Sequence, residues 1–333
     1  MITFEHVTKQ YADGTVAIED VSFTVEEGTT TVLVGPSGCG KTTTMKLVNR
    51  LEDPTEGTVY RDGTPLSEFD RIDLRRNTGY VIQEIGLFDH MTVGENIATV
   101  PRLNGWDEDE IDARIDELLE LMDLPPESYR EQHPPELSGG QRQRVGVARA
   151  LASDPDVLLM DEPFGALDPI TRESLQDEFL KIQAELDTTI LFVTHSIDEA
   201  LKMGDRIAIF DVGEVVQYDT PQAILDEPKN EFVEDFIGSD RPLKKLKVTQ
   251  VEDVMSPPTE EVATAGGVAD ATAPVQSDGG STVSPLEPTD TALSALSRLV
   301  ASEDGRLPVV EDGDVVGTVS DEDIRRSNAG DKP

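Results

Sequence analysis

Apolar positions in this chain fall into two kinds of pattern. Thr31–Val34, Val157–Met160 and Thr189–Thr194 are short, unbroken runs of β-branched and apolar residues, as strands buried on both faces of a parallel sheet require. Near the start, Ile2–Val7 and Ala17–Val25 read as antiparallel strands. Between and after these runs the period changes. Glu108–Met122 places Ile111, Ile115, Leu118, Leu119 and Met122 on one helical face, the spacing of a single buried stripe. Lys41–Leu51 and Gln141–Ala152 read as further helices. Toward the end come a helix over Thr291–Ser302, a strand over Arg306–Val310, a turn at Glu311–Asp314, a strand over Val315–Val319 and a last helix. A turn of that composition between β-branched runs predicts a hairpin. Strands alternating with helices predict an α/β fold, followed by a smaller α+β module.

Five strings carry candidate chemistry. Gly35-Pro36-Ser37-Gly38-Cys39-Gly40-Lys41-Thr42 fits the spacing GxxxxGK[ST] and lies between a predicted strand and a predicted helix, the context that pattern needs. Its glycines let backbone N–H groups turn toward phosphate, Lys41 can reach the outer phosphates, and Thr42 can hold Mg²⁺. The helix N-terminus behind the loop adds partial positive charge. By itself this loop implies a nucleoside triphosphate and no more. The second string, Leu137-Ser138-Gly139-Gly140-Gln141, bares backbone at the start of a helix. The others are Gln83, the run Asp156–Glu162 that ends in Asp161-Glu162, and His195.

Together these strings resemble the motif set of ATP-binding-cassette (ABC) ATPases, and the resemblance covers residues 1–240. It implies a phosphate-loop NTPase core with an antiparallel β subdomain and a helical subdomain inserted over about 84–149. It implies that ATP is sandwiched between the phosphate loop, including Thr43, of one copy and Ser138, Gly139, Gly140 and Gln141 of a second, so the working unit is a homodimer. Asp161 would bind Mg²⁺ through water, Glu162 would polarise the attacking water, and Gln83 would contact both. His195 would contact the γ-phosphate, Asp168 would couple the two sites across the dimer, and Tyr11 would stack on adenine. The segment Ile85–Ile97 is similar in wording to the permease-docking surface of quaternary-amine (glycine betaine, carnitine, choline) importers.

Composition changes the surroundings of that site. There are 28 basic and 67 acidic residues, a formal net charge of −39, and the acidic clusters are spread along the whole chain. Such charge makes nucleic acid binding through a basic surface a poor expectation. Its size is that of a protein kept soluble where salt screens self-repulsion, so a salt-rich cytoplasm is expected. The one cysteine, Cys39, has no partner for an intrachain disulfide and fits a reducing compartment. Strand-like sequence follows Met1 directly, so no N-terminal signal is expected, and no apolar run reaches membrane-spanning length.

Residues 241–250 read as a linker, and Ala263–Gly280, rich in Ala, Gly, Thr and Ser, as a loop. The βαββα order after it, with Leu307-Pro-Val-Val310 and Gly317-Thr-Val-Ser320-Asp-Glu-Asp323, resembles a cystathionine-β-synthase (CBS) motif. Val251–Met255 resembles the opening of another, truncated one, which either packs on the intact motif or is completed by a second chain. The resemblance implies an adenine nucleotide at Ser320 and Asp323; a capping serine and a solvated acidic helix start is the alternative. An ABC ATPase ending in such a module is the arrangement of osmoprotectant importers. The expectation is therefore an ATPase peripheral to the cytoplasmic face of a membrane, driving permease subunits fed by a substrate-binding protein. Importers of iron, a polyamine or an oxyanion remain alternatives, as does a soluble ABC protein of repair or translation.

Overall fold

A computed structural model describes residues 1–83, 85–165, 167–185, 188–258, 275–276, 282–283, 285–302 and 305–328. The chain divides into two compact units, Met1–Thr220 and Pro221–Pro333. The first runs β1 (Ile2–Gln10), β2 (Val16–Val25), β3 (Thr30–Val34), α1 (Lys41–Val48), β4 (Glu56–Arg61), β5 (Thr64–Pro65), α2 (Arg71–Arg76) and β6 (Thr78–Val81). Then come α3 (Val93–Leu103), α4 (Glu108–Leu121), α5 (Pro126–Tyr129) and α6 (Gly139–Leu151). It closes with β7 (Val157–Asp161), α7 (Pro169–Glu185), β8 (Thr189–Thr194), α8 (Ile197–Met203), β9 (Arg206–Asp211) and β10 (Glu214–Asp219).

Two sheets organise this unit. β2-β1-β4-β5 is antiparallel, and β10-β9-β3-β8-β7-β6 is parallel except for β10 at its edge. Every residue of β3 and β8 is buried, which is why their sequences are unbroken apolar runs rather than alternating ones. The first sheet alternates instead, burying Ile2, Phe4, Val21, Phe23 and Val25, with Phe4 stacked on Phe23 at 4.6 Å. Residues 93–151 form the inserted helical lobe; Glu84, where that lobe was expected to begin, lies outside the described residues. α4 buries Ile111, Ile115, Leu118 and Leu119 as its periodicity predicts. Capping boxes fix the starts of α3 (Thr92 with Glu95), α4 (Asp107 with Glu110) and α6 (Ser138 with Gln141), each satisfying amides that would otherwise lack partners.

The second unit contains α9 (Pro221–Asp226), α10 (Glu231–Ile237), α11 (Arg241–Val248), short strands β11 (Val275–Gln276) and β12 (Thr282–Val283), α12 (Ala292–Ala301), β13 (Arg306–Glu311), β14 (Asp314–Ser320) and α13 (Asp321–Asn328). Asp312 and Gly313, both at positive φ, close the β13–β14 hairpin, the Asp-Gly turn that a two-residue connection favours. Leu286 bridges Val309 in parallel, and Ser256 bridges Thr318 antiparallel. The segment opening at Val251 therefore packs on the β14 edge of its own chain. Leu246, Val251, Leu286, Ala295, Val309 and Val319 share the core. Residues 241–250, expected as a linker, are mostly α11. Lys244 donates to Ile237 O at 2.9 Å and to Asp240 at 2.6 Å, and Leu246 enters the core, so the stretch read as a linker is an anchored helix. Most of the expected loop Ala263–Gly280 lies outside the described residues.

Candidate functional site

β3 delivers the chain into the loop Gly35–Gly40, and α1 receives it. Gly35 (φ +154) would place a Cβ 2.3 Å from Phe210 O of β9, and Gly40 (φ +102) would place one 2.4 Å from Ala17 O. The loop thus lies against neighbouring backbone where only glycine fits. Lys41 is 5% exposed; its ammonium donates to Gly35 O at 2.7 Å and Pro36 O at 2.8 Å. Cys39 Sγ lies 3.6 Å from that ammonium. Burial pushes the Cys39 thiol up, and Lys41 pulls back only part of the way, so Cys39 is a buried filler of the loop.

At the end of β7, Asp161 accepts from the Thr42 hydroxyl at 3.1 Å. Burial pushes the Asp161 carboxyl up, the Thr42 hydrogen bond pulls it down, and neighbouring Glu162 raises it again. Glu162 follows at φ +46, fixed by its amide donating to Val193 O of β8 at 2.9 Å. Its Oε2 accepts from Gln83 Nε2 at 3.3 Å and lies 3.3 Å from His195 Nδ1. Parallel pairing of β6, β7 and β8 carries Gln83, Glu162 and His195 to one end of the sheet, where α/β folds place ligands. Tyr11 is 3.4 Å from the Thr43 hydroxyl, with Lys9 over its ring. The structure thus joins Tyr11, the phosphate loop, Gln83, Asp161, Glu162 and His195.

Other predicted residues stand apart. Ser138 and Gln141 bond each other in the capping box at 2.8 and 3.2 Å, and Gln141 donates to the Tyr129 hydroxyl at 3.0 Å. Gly139 and Gly140 face Leu167, Thr171 and Leu175. Asp168 accepts from the Thr171 amide at 3.1 Å; the Thr171 side chain first, and this amide second, hold its carboxyl below the usual range. In the second unit, Asp323 accepts from the Ser320 amide and hydroxyl at 2.9 and 2.5 Å and from the Ser256 hydroxyl at 2.9 Å. Burial pushes that carboxyl up, but these donors more than reverse it and hold it low.

Two residues at the first site escaped sequence reasoning. Arg149 of α6 donates to Ile85 O at 2.7 Å and Gly86 O at 2.6 Å, clamping the segment after Gln83. Glu199 lies buried behind His195. Ser196-x-x-Glu199 has the spelling of a capping box, the one signal that marks it; nothing in the sequence marks Arg149.

Thr42 and Asp161 offer a hydroxyl and a carboxylate, hard oxygen donors of the type Mg²⁺ takes while keeping waters and phosphate oxygens as its other ligands. A half-buried carboxyl whose charge burial disfavours also suits a cation that would compensate it. Among the described residues, no cluster of three or more His, Cys, Asp or Glu could hold a metal ion, and no helix is long and apolar enough to cross a membrane.

Residues 18–165 match the family described as ABC transporter, and residues 282–330 match the CBS domain. The chain is 54% identical over 257 residues to the carnitine transport ATP-binding protein OpuCA of Listeria monocytogenes, covering 77% of this chain and 64% of that protein. It therefore spans less than two thirds of that relative. Identity is 52% over 257 residues to the glycine betaine/carnitine/choline transport ATP-binding protein OpuCA of Bacillus subtilis, covering 77% and 67%. It is 48% over 254 residues to the glycine betaine uptake system ATP-binding protein YehX of Escherichia coli, covering 76% and 82%. Among solved structures, the dimeric post-hydrolysis state of the ATP-binding cassette MJ0796 bound to ADP and Pi aligns with a TM-score of 0.59 at 34% identity, covering 66% of this chain and 99% of that one.

Proposed function

This chain belongs to the ATP-binding proteins of ABC transporters, and from that premise we propose that it hydrolyses ATP to energise import of an osmoprotectant such as glycine betaine. The observation that carries the hydrolytic reading is the meeting of Gln83 and His195 at one oxygen, Glu162 Oε2, each at 3.3 Å. A carboxylate so flanked orients a water for attack on the γ-phosphate, with His195 beside that phosphate and ADP as the leaving group. Phosphoryl transfer asks chiefly for positioning and charge neutralisation, and this end of the sheet offers both. Lys41 turns from its loop carbonyls to the outer phosphates, and Tyr11 stacks on the base. Thr42 and Asp161, with Gln83, would hold Mg²⁺, which supplies charge neutralisation at phosphate oxygens.

Ser138–Gln141 and Asp168 have their bonding partners elsewhere, which supports their serving the phosphate loop of a second copy in a homodimer. The names borne by the relatives support compatible solutes over iron, a polyamine or an oxyanion. The partners on this reading are permease subunits in the membrane, which the chain meets from the cytoplasmic face, and through them a substrate-binding protein. The net charge of −39 supports a salt-rich cytoplasm. Residues 251–330 act as a regulatory module. Because Asp323 already uses both oxygens within that module, sensing of ionic strength is favoured over an adenine nucleotide held by that side chain.

The test is transport. Vesicles containing this chain and its permease subunits should take up radiolabelled glycine betaine when MgATP is supplied, with phosphate released in step. Phosphate release without uptake of any quaternary amine would reject the substrate; absence of phosphate release would reject the ATPase.

A further inference from the structure

We propose that Glu199 is the positioning residue for His195, and that through Gln176 it ties His195 to the helix that begins after Asp168. The inference rests on His195 acting in hydrolysis. Three polar side chains meet behind His195, and all are buried: Thr194 is 1% exposed, Gln176 6% and Glu199 8%. The Thr194 hydroxyl donates to Glu199 Oε2 at 2.5 Å and accepts from the Ser196 amide at 3.0 Å. The Ser196 hydroxyl accepts from the Glu199 amide at 3.3 Å. These bonds close a ring over Thr194, Ser196 and Glu199, from which the exposed His195 side chain projects, its Nδ1 3.3 Å from Glu162 Oε2. Glu199 Oε1 meanwhile accepts from Gln176 Nε2 of α7 at 2.9 Å. Asp168 caps the start of that helix through Thr171.

A capping glutamate would turn back onto the amide of Ser196. Here the carboxylate turns inward, and both its oxygens accept from buried donors. In a site from which water is excluded, removing that acceptor leaves the Thr194 hydroxyl and the Gln176 amide unmatched. The Thr194 hydroxyl, which the Ser196 amide meets on the far side of His195, then loses its buried anchor. Movement of α7 relative to β8 would pull on Glu199 and so on the imidazole.

The experiment uses the full chain and the exchangeability of donor and acceptor. Glu199→Ala should lower kcat on the order of ten- to a hundredfold, the scale of a small misplacement, while KM for ATP changes less than about twofold. Gln176→Glu faces two carboxylates and should also lower kcat. The double variant Gln176→Glu/Glu199→Gln restores one donor and one acceptor with sides exchanged, and kcat should return to within about threefold of the original. His195 is one of four histidines, so its ring signals can be followed by NMR: they should shift in both single variants and return in the double. Undiminished kcat in Glu199→Ala, a double variant as slow as either single, or unmoved His195 signals would each overturn the proposal. If the unaltered chain hydrolyses no ATP, the functional reading fails instead, and the NMR pattern alone decides the positioning role.

Discussion

Glu162 stands at a backbone angle that ordinary residues avoid, φ +46, at a cost of roughly 1–3 kcal/mol that surrounding structure must offset. Its amide bond to Val193 O supplies part of that restraint and aims the carboxylate at the place where Gln83 and His195 converge. Glu162→Gln keeps the shape and removes the charge. Hydrolysis should then fall by about 10²–10⁴-fold, the span of general base catalysis, while ATP still binds; gel filtration should reveal an ATP-dependent dimer. Turnover like that of the unaltered chain would remove Glu162 from the role. Lys41→Ala acts differently. It strips the carbonyls of Gly35 and Pro36 of a charged donor, each such bond contributing about 1.5–3 kcal/mol. Both nucleotide affinity and melting temperature should drop, whereas Glu162→Gln should leave the melt nearly unchanged.

Helix α6 gathers several roles along its length. Its N-terminus holds Ser138 in a capping box, and its last turn holds Arg149, half of whose task lies 64 residues away in sequence at Ile85. Ile85 itself is at φ +60, a costly angle for a β-branched residue. Burial lowers the Arg149 pKa, and the carbonyls of Ile85 and Gly86 give its guanidinium the acceptors that burial takes away. Arg149→Met keeps much of the bulk and removes both bonds. Urea unfolding should register a loss of about 2–3 kcal/mol, and ATPase activity should fall because Gln83, two residues before Ile85, loses its anchor. Unaltered stability would reduce the clamp to a surface contact. The contrast explains what sequence could disclose. β3, β7 and β8 are legible because burial on both faces leaves an unbroken apolar run, and the phosphate loop because its glycines are sterically obligatory. Arg149 and Glu199 are not, since their meaning lies in partners on other elements. α11, read as a linker, misleads for the related reason that Lys244 finds its partners at Ile237 and Asp240, outside the helix.

Across the whole molecule, acidic residues exceed basic ones by 67 to 28. Among the described residues Arg114, Arg130, Arg144 and Arg206 each already serve two acids, as Arg130 does with Asp112 and Asp116. Exposed pairs of this kind contribute about 0–1 kcal/mol each, too little to cancel the repulsion of the remainder. Molar salt shortens the screening length to about 3 Å from about 10 Å at 0.1 M, so melting temperature should climb steeply with KCl. A flat series would assign the acidity another cause. The sole cysteine gives that experiment a second channel. Cys39 is 4% exposed, and Gly35 and Lys41 flank its sulfur, so a thiol reagent reaches this chain only through an opening of the phosphate loop. The protein carries its own stopwatch: the pace of labelling at one sulfur times how often the nucleotide cradle breathes, in each salt and with or without ATP, without any probe being introduced.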